Sequence, residues 1–111
     1  MNVNSLIMDA ATVFGIPVAP NYYDGNDSEY ITFNYADERP DIWADNLEVF
    51  DKTTIQVHWF FKFGSAPEKK KLLRDFLRSK GFFISHSTEQ FETDTKYTHI
   101  TVVAVIGGAE D

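Results

Sequence analysis

Cysteine is absent from all 111 residues, and that absence removes a disulfide scaffold, a thiolate metal site and a cysteine nucleophile together. Stability must come from packing. No stretch approaches the ~18 consecutive apolar residues of a membrane span, and the first fifteen residues lack the basic patch and apolar run of a secretory leader. The expected setting is therefore cytoplasmic, with no membrane partner. Cations are scarce as well: ten Lys and Arg stand against seventeen Asp and Glu, for a formal charge of −7. Residues 1–64 hold ten of the acidic side chains and only three of the basic ones. Such a field disfavours a grip on DNA, because nucleic-acid affinity depends on Lys and Arg displacing condensed counterions.

Catalytic fingerprints are missing too. Gly107 and Gly108 are adjacent and near the terminus, and no GxGxxG, GKS or GKT segment is present to cradle a phosphate. The serines Ser5, Ser28, Ser65, Ser79, Ser85 and Ser87 fall in turns, caps or strand faces, without the GxSxG elbow that exposes a nucleophile. No cofactor and no enzymatic activity are expected.

What the chain does have is apolar mass: 43% of its residues are hydrophobic and 15% aromatic, ample for the core of one domain over 1–111. Val3, Leu6, Ile7, Ala10, Ala11 and Phe14 recur at helical spacing, so a first helix is expected over 3–14, capped at Asn4 or Ser5 and stopped by Gly15. Ile16 to Pro20 contains two prolines and reads as an edge strand or extended arm. The cluster Asp24, Gly25, Asn26, Asp27 marks a turn before a strand in which Ile31, Phe33 and Tyr35 share a face. Residues 36–51 are acidic and irregular and read as a long loop with a short strand.

The strongest strand signal follows, with Ile55, Val57, Trp59, Phe61 and Phe63 alternating against Thr54, Gln56, His58, Phe60 and Lys62. Pro67 and the stripe Leu72, Leu73, Phe76, Leu77 predict a second helix over 67–80, stopped by Gly81. Two strands near 82–91 and 96–106 read as a hairpin, the second rather apolar on both faces and so suited either to a central place or to contact with a neighbour; Gly107 to Asp111 reads as a frayed tail. The expected fold is α+β: an antiparallel four- to five-stranded sheet with two helices on one face, in the order α-β-β-β-α-β-β.

Candidate functional residues fall into four groups. His58, His86 and His99 sit on separate expected strands and could converge on a metal, but no spacing demands it, and they read as strand-surface histidines. Asp37 with Glu38, and Asp41 with Asp45, lack the periodic oxygen ligands of a calcium loop and read as a solvated acidic loop. Lys69, Lys70, Lys71, Arg74, Arg78 and Lys80 line the polar face of the second helix; the plain reading is a solvated face, the sharper one a surface for a partner. The aromatics Tyr22, Tyr23, Tyr30, Trp43 and Phe60 fall in loops or on polar strand faces, where a monomer spends few of them. They point either to a second core layer or to a subunit interface, whose centre favours such rings.

The segments Tyr30-Ile31-Thr32-Phe33-Asn34, Ala44-Asp45-Asn46, Ile55-Gln56-Val57-His58-Trp59, Gly81-Phe82 and Asp94-Thr95-Lys96-Tyr97-Thr98-His99, in this order, resemble the tail-completion proteins of long-tailed bacteriophages and prophages. These are also called tail terminators or head-to-tail joining proteins. The resemblance spans about residues 5–104 and rests on strand and turn signatures. It implies a structural virion protein at the tail neck, assembled in the host cytoplasm. A ring of six copies would cap the tail tube and join it to the head connector, with DNA passing through unrecognised. The interface expected on that basis is Tyr22, Tyr23, Asp37, Asp41, Trp43, Asp45 and Phe60, with Lys69, Lys70, Lys71, Arg74 and Arg78 as a basic partner face. Two alternatives come from the scaffold: a small-ligand or regulatory binding module, and, less supported, a hydrolase using His58 or His99 as base.

Overall fold

The computed structural model describes residues 2–37 and 52–107; the acidic stretch 38–51 and the terminal residues 108–111 lie outside the described residues. Along the chain run α1 (Val3–Met8), α2 (Ala10–Phe14), β1 (Val18–Pro20), β2 (Glu29–Asp37), β3 (Lys52–Phe61), α3 (Ala66–Ser79), β4 (Phe83–Phe91) and β5 (Thr98–Gly107). The five strands form one sheet in the order β1-β2-β3-β5-β4. The α+β class and the five strands match the sequence reading, with β5 inside the sheet between β3 and β4.

Two features of that reading are corrected. The sheet is mixed, because β1 runs parallel to β2, with Val18 opposite Ile31 and Pro20 opposite Phe33; every other pairing is antiparallel. A parallel neighbour needs a return path. Here the paired stretch is only three residues, so the segment 21–28 need run back just ~13 Å at the usual rise per strand residue. Side-chain alternation carries no information about strand direction, which is why the pattern left it open. The order is also α-α-β-β-β-α-β-β, since the first helix is broken at Asp9.

The apolar stripe nevertheless continues through the break: Val3, Ile7 and Ala10 are all buried. The N-cap is Asn2, whose side chain accepts from the Ser5 amide at 3.1 Å, where the sequence reading favoured Asn4 or Ser5. Gly15 ends α2 in the left-handed region at φ 69°, its amide donating to the Ala11 carbonyl, as its missing Cβ allows.

Helix α3 is specified at both ends. Ser65 Oγ accepts from the Glu68 amide, with Glu68 three residues on as in a capping box and proline in the first turn. At the far end, Phe82 N–H donates to the Leu77 carbonyl and Gly81 N–H to that of Arg78, a Schellman closure with Gly81 at φ 99°. Between them Leu73, Phe76 and Leu77 are buried, each contributing roughly 1.5–3 kcal/mol.

The core lies on one side of the sheet, where Ile31, Phe33, Ile55, Val57, Trp59, Phe61, Ile100, Val102, Ala104 and Ile106 meet the helices. Phe14 joins the end of α2 to β3 and to α3, its ring 4.9 Å from that of Trp59 and 5.5 Å from that of Phe76. Phe63 does not extend this face as its alternation suggested. Strand β3 stops at Phe61, and Phe63 sits 78% exposed in the turn into α3.

Candidate functional site

The opposite side of the sheet is covered by no helix among the described residues, and it carries a dense set of rings. Register builds it: Tyr30 on β2 lies opposite Phe60 on β3, and Phe60 lies opposite His99 on β5. Directly opposed side chains on one face are close enough to stack. Tyr30 and Phe60 are stacked at 4.8 Å between centroids, and Phe60 and His99 at 4.2 Å. Tyr23, from the loop after β1, extends the row at 4.8 Å from Tyr30. Tyr97 meets Tyr30 edge-on at 5.6 Å, with the Lys62 ammonium 4.9 Å from its ring centre. The T-shaped and offset contacts are those that ring quadrupoles favour.

Hydrogen bonds fix the tyrosine end. Tyr97 donates its hydroxyl proton to the Asp27 backbone carbonyl at 2.6 Å, and Tyr23 donates to the Asp27 carboxylate. That bond to an anion holds the Tyr23 phenol neutral and pushes its pKa up to about 12. Burial, reinforced by the Tyr97 phenol, raises Tyr30 as well.

A polar cluster occupies the other end. His58 Nδ1 lies 2.9 Å from His99 Nε2, and Thr101 Oγ1 is 3.2 Å from each of these nitrogens. His58 Nε2 lies 3.0 Å from Asn34 Oδ1. The Glu92 carboxylate stands 3.4 Å from His99 Nδ1. Burial, then the neighbouring His99, drives the pKa of His58 down to about 4. Burial also lowers His99, against the opposing pull of Glu92.

Of the residues expected at an interface, the structure brings Tyr23 and Phe60 into one row through Tyr30. Tyr22 is adjacent in sequence and 73% exposed. Asp37 closes β2, opposite Thr54. Asp41, Trp43 and Asp45 lie outside the described residues. His86 is not near the other histidines in hydrogen-bonding terms; its partner is Ser85.

The basic helix face is largely engaged within the chain. Lys69 reaches Glu29 at 2.7 Å, Lys70 reaches Glu89 at 3.0 Å and Lys71 reaches Asp75 at 2.8 Å. Arg78 lies 3.6 Å from Asp75, and Arg74 donates to Ser87. Lys80 links to Asp9 at 2.6 Å, tying the end of α3 to the break in the first helix. A partner docking on this face would exchange these pairs for its own.

Sequence reasoning weighed a convergence of the three histidines but read them as separate strand-surface residues, whereas two of them meet, and it named Tyr97 only within a turn signature and not as a site residue. The usable signal was the hairpin: once β5 is set beside β3, Phe60 faces His99 and the diagonal neighbour of His99 is His58. Among the described residues no group of three or more His, Cys, Asp or Glu is placed to hold a metal, and no helix is long and apolar enough to cross a membrane. No protein-family model matches the chain, and no curated protein matches it.

Proposed function

We propose that the chain is a structural assembly protein of the tail-completion kind. Copies would associate side by side into a ring, six in number on the family resemblance, that caps a tail tube and meets the head connector. One observation carries this reading: the row Tyr23, Tyr30, Phe60, His99 lies on a sheet face that no helix or strand among the described residues covers. Rings gathered on such a face form the composition of an interface centre. Further exposed apolar groups stand at both ends of the edge strand β4, where Phe83 is 78% and Phe91 57% exposed. In a closed ring each copy presents one surface to the next and a different one to the previous. The acidic charge of the chain suits a channel that lets DNA through without adhering.

The test is light scattering after size exclusion, combined with attachment of the purified chain to terminated and unterminated tail tubes. Ring formation, alone or on the tube, is the expected result, and Phe60→Ser with Tyr23→Ser abolishes it. A chain that stays monomeric at high concentration and also ignores tail tubes sinks the reading. The genes on either side offer an independent check, with capsid and portal genes expected upstream and the major tail protein downstream.

A further inference from the structure

The two edges of the sheet are finished differently. At one edge the Ile31 amide donates to the Pro17 carbonyl at 2.9 Å and the Asn21 amide to the Phe33 carbonyl at 2.7 Å, so residues 17, 19 and 21 turn their backbone groups toward β2. Val18 and Pro20 turn theirs outward, and Pro20 has no N–H to offer. The outer rim of β1 therefore presents a single amide, too little for a further strand to pair with. At the other edge, β4 is paired among the described residues with β5 alone. Its stretch His86-Ser87-Thr88-Glu89-Gln90-Phe91 contains neither proline nor lysine, the residues that commonly blunt a free edge. Thr88, Glu89 and Gln90 are exposed. The register shift between Ile84 and His86 interrupts pairing at the start of the strand and leaves the rest straight. Above this edge, Lys70 of α3 holds the Glu89 carboxylate at 3.0 Å, whereas Arg74, one turn on, donates to the neutral Ser87 Oγ at 3.4 Å.

We propose that β4 pairs antiparallel with β4 of a second copy, about a two-fold axis through Thr88, so that two sheets become one. Because the β1 edge refuses a strand, the β4 edge of one copy has only the β4 edge of another to pair with; the contact is isologous and stops at two chains. A two-fold axis perpendicular to the sheet keeps both helix layers on one side, so directly opposed residues share a face, and length and charge then choose the register. Centring on Glu89 sets two carboxylates against each other. Centring on Ser87 or Gln90 runs into the bulge or off the strand end after a few residues. With Thr88 on the axis, His86 to Gln90 of each copy pair throughout. Thr88 faces its own counterpart, a favourable cross-strand pair, His86 faces Gln90 of the second copy, and Ser87 faces Glu89 of the second copy. This last pair supplies the charge complementarity: it carries a carboxylate to the Arg74 guanidinium, which within one chain bonds to a serine, and symmetry repeats the exchange of a neutral for a charge-assisted bond. The contact uses the sheet edge and none of Tyr23, Tyr30, Phe60 or His99, so it does not depend on the ring reading.

The chain has no cysteine, so single cysteines report the register cleanly. Under oxidised glutathione, Thr88→Cys should give a disulfide-linked dimer on a non-reducing gel, since opposed Cβ atoms stand roughly 4.5–5.5 Å apart. His86→Cys and Gln90→Cys should each stay uncross-linked alone, their counterparts lying roughly 13 Å away along the strand, and should cross-link when mixed. Arg74→Ala should weaken the dimer about 10-fold in sedimentation equilibrium, the pair being lost twice. Phe60→Ser with Tyr23→Ser, which breaks the ring contact, should leave the Thr88→Cys cross-link in place. Hydrogen exchange of the wild-type chain needs no variant to fold: the amides of His86 to Gln90 should gain protection as concentration rises, and that of Val18 should not. Thr88→Cys that fails to cross-link, three single cysteines that cross-link alike, an unchanged Arg74→Ala dimer, a cross-link lost with Phe60 and Tyr23, or β4 exchange indifferent to concentration would each overturn the proposal.

Discussion

The two faces of the sheet are built from the same strands and do different work. Toward the helices, alternate residues of β3 and β5 are aliphatic or aromatic and fully enclosed. Toward the other side, the residues between them are Gln56, His58, Phe60, His99, Thr101 and Val103, all only partly buried. The first face is sealed by α1, α2 and α3; the second keeps polar groups paired with one another and stacks its half-buried rings where no helix among the described residues covers them. The difference teaches that aromatic content alone does not locate a core. Phe61 and Phe60 are neighbours in the chain, yet one is enclosed and the other is a half-buried rung in a row that no helix among the described residues covers.

That contrast can be broken by substitution, starting with the enclosed side. Phe33→Ala removes a ring that is 1% exposed and should cost about 3–5 kcal/mol in denaturant unfolding. Phe60→Ala should cost only about 1–2 kcal/mol, since part of its surface is already wet and its stacking with Tyr30 and His99 is worth roughly 0.5–1.5 kcal/mol per pair. Its larger effect should be on self-association. If the two losses prove equal, the distinction between the faces fails.

The junction between β3 and α3 sharpens the comparison at an intermediate size. Gly64 sits at φ 117°, and a Cβ there would stand 2.6 Å from Lys69 Cε. Lys69 is held by Glu29, which also accepts from Trp59 Nε1 at 2.8 Å. Gly64→Ala should therefore strain the backbone and dislodge this clamp, at a cost of about 1–3 kcal/mol in thermal unfolding. Ser65→Ala, which only removes the N-cap of α3, should cost about 1 kcal/mol.

The smallest effect concerns the open face alone. Tyr23 is raised from the ordinary tyrosine value near 10 to about 12 by its bond to Asp27, so the folded chain keeps a proton that the unfolded one releases. The associated stability is complete below pH 10 and disappears as the pH climbs through about 12. Absorbance titration should show one late-ionising phenol, which Asp27→Asn returns toward the ordinary value. A titration curve unchanged by that substitution would remove the bond from the account.

Much of the fold was legible from periodicity. The alternation of β3 and β5 named the enclosed residues correctly apart from Phe63, and Ser65, Pro67 and Gly81 marked α3 to within a residue at each end. The parallel placement of β1 was not legible, because three residues that follow one proline and end on another carry neither direction nor partner. The break at Asp9 was hidden by a stripe that runs through it unbroken. The His58–His99 meeting was hidden for a different reason: it depends on which strands lie side by side, and the two residues are 41 positions apart.

Both outer strands of the antiparallel part carry one residue more than their partners: Ala36 in β2, between the pairs Tyr35–Ile55 and Asp37–Thr54, and Ser85 in β4, between Ile84–Ala104 and His86–Val103. The two surplus residues flank the same row of the sheet. A chain lacking Ser85 would regain an ordinary ladder with every later side chain on its present face, whereas a chain lacking Thr88 would have to turn the rest of β4 over. Length change is therefore tolerated at two aligned positions and penalised along the strands between them.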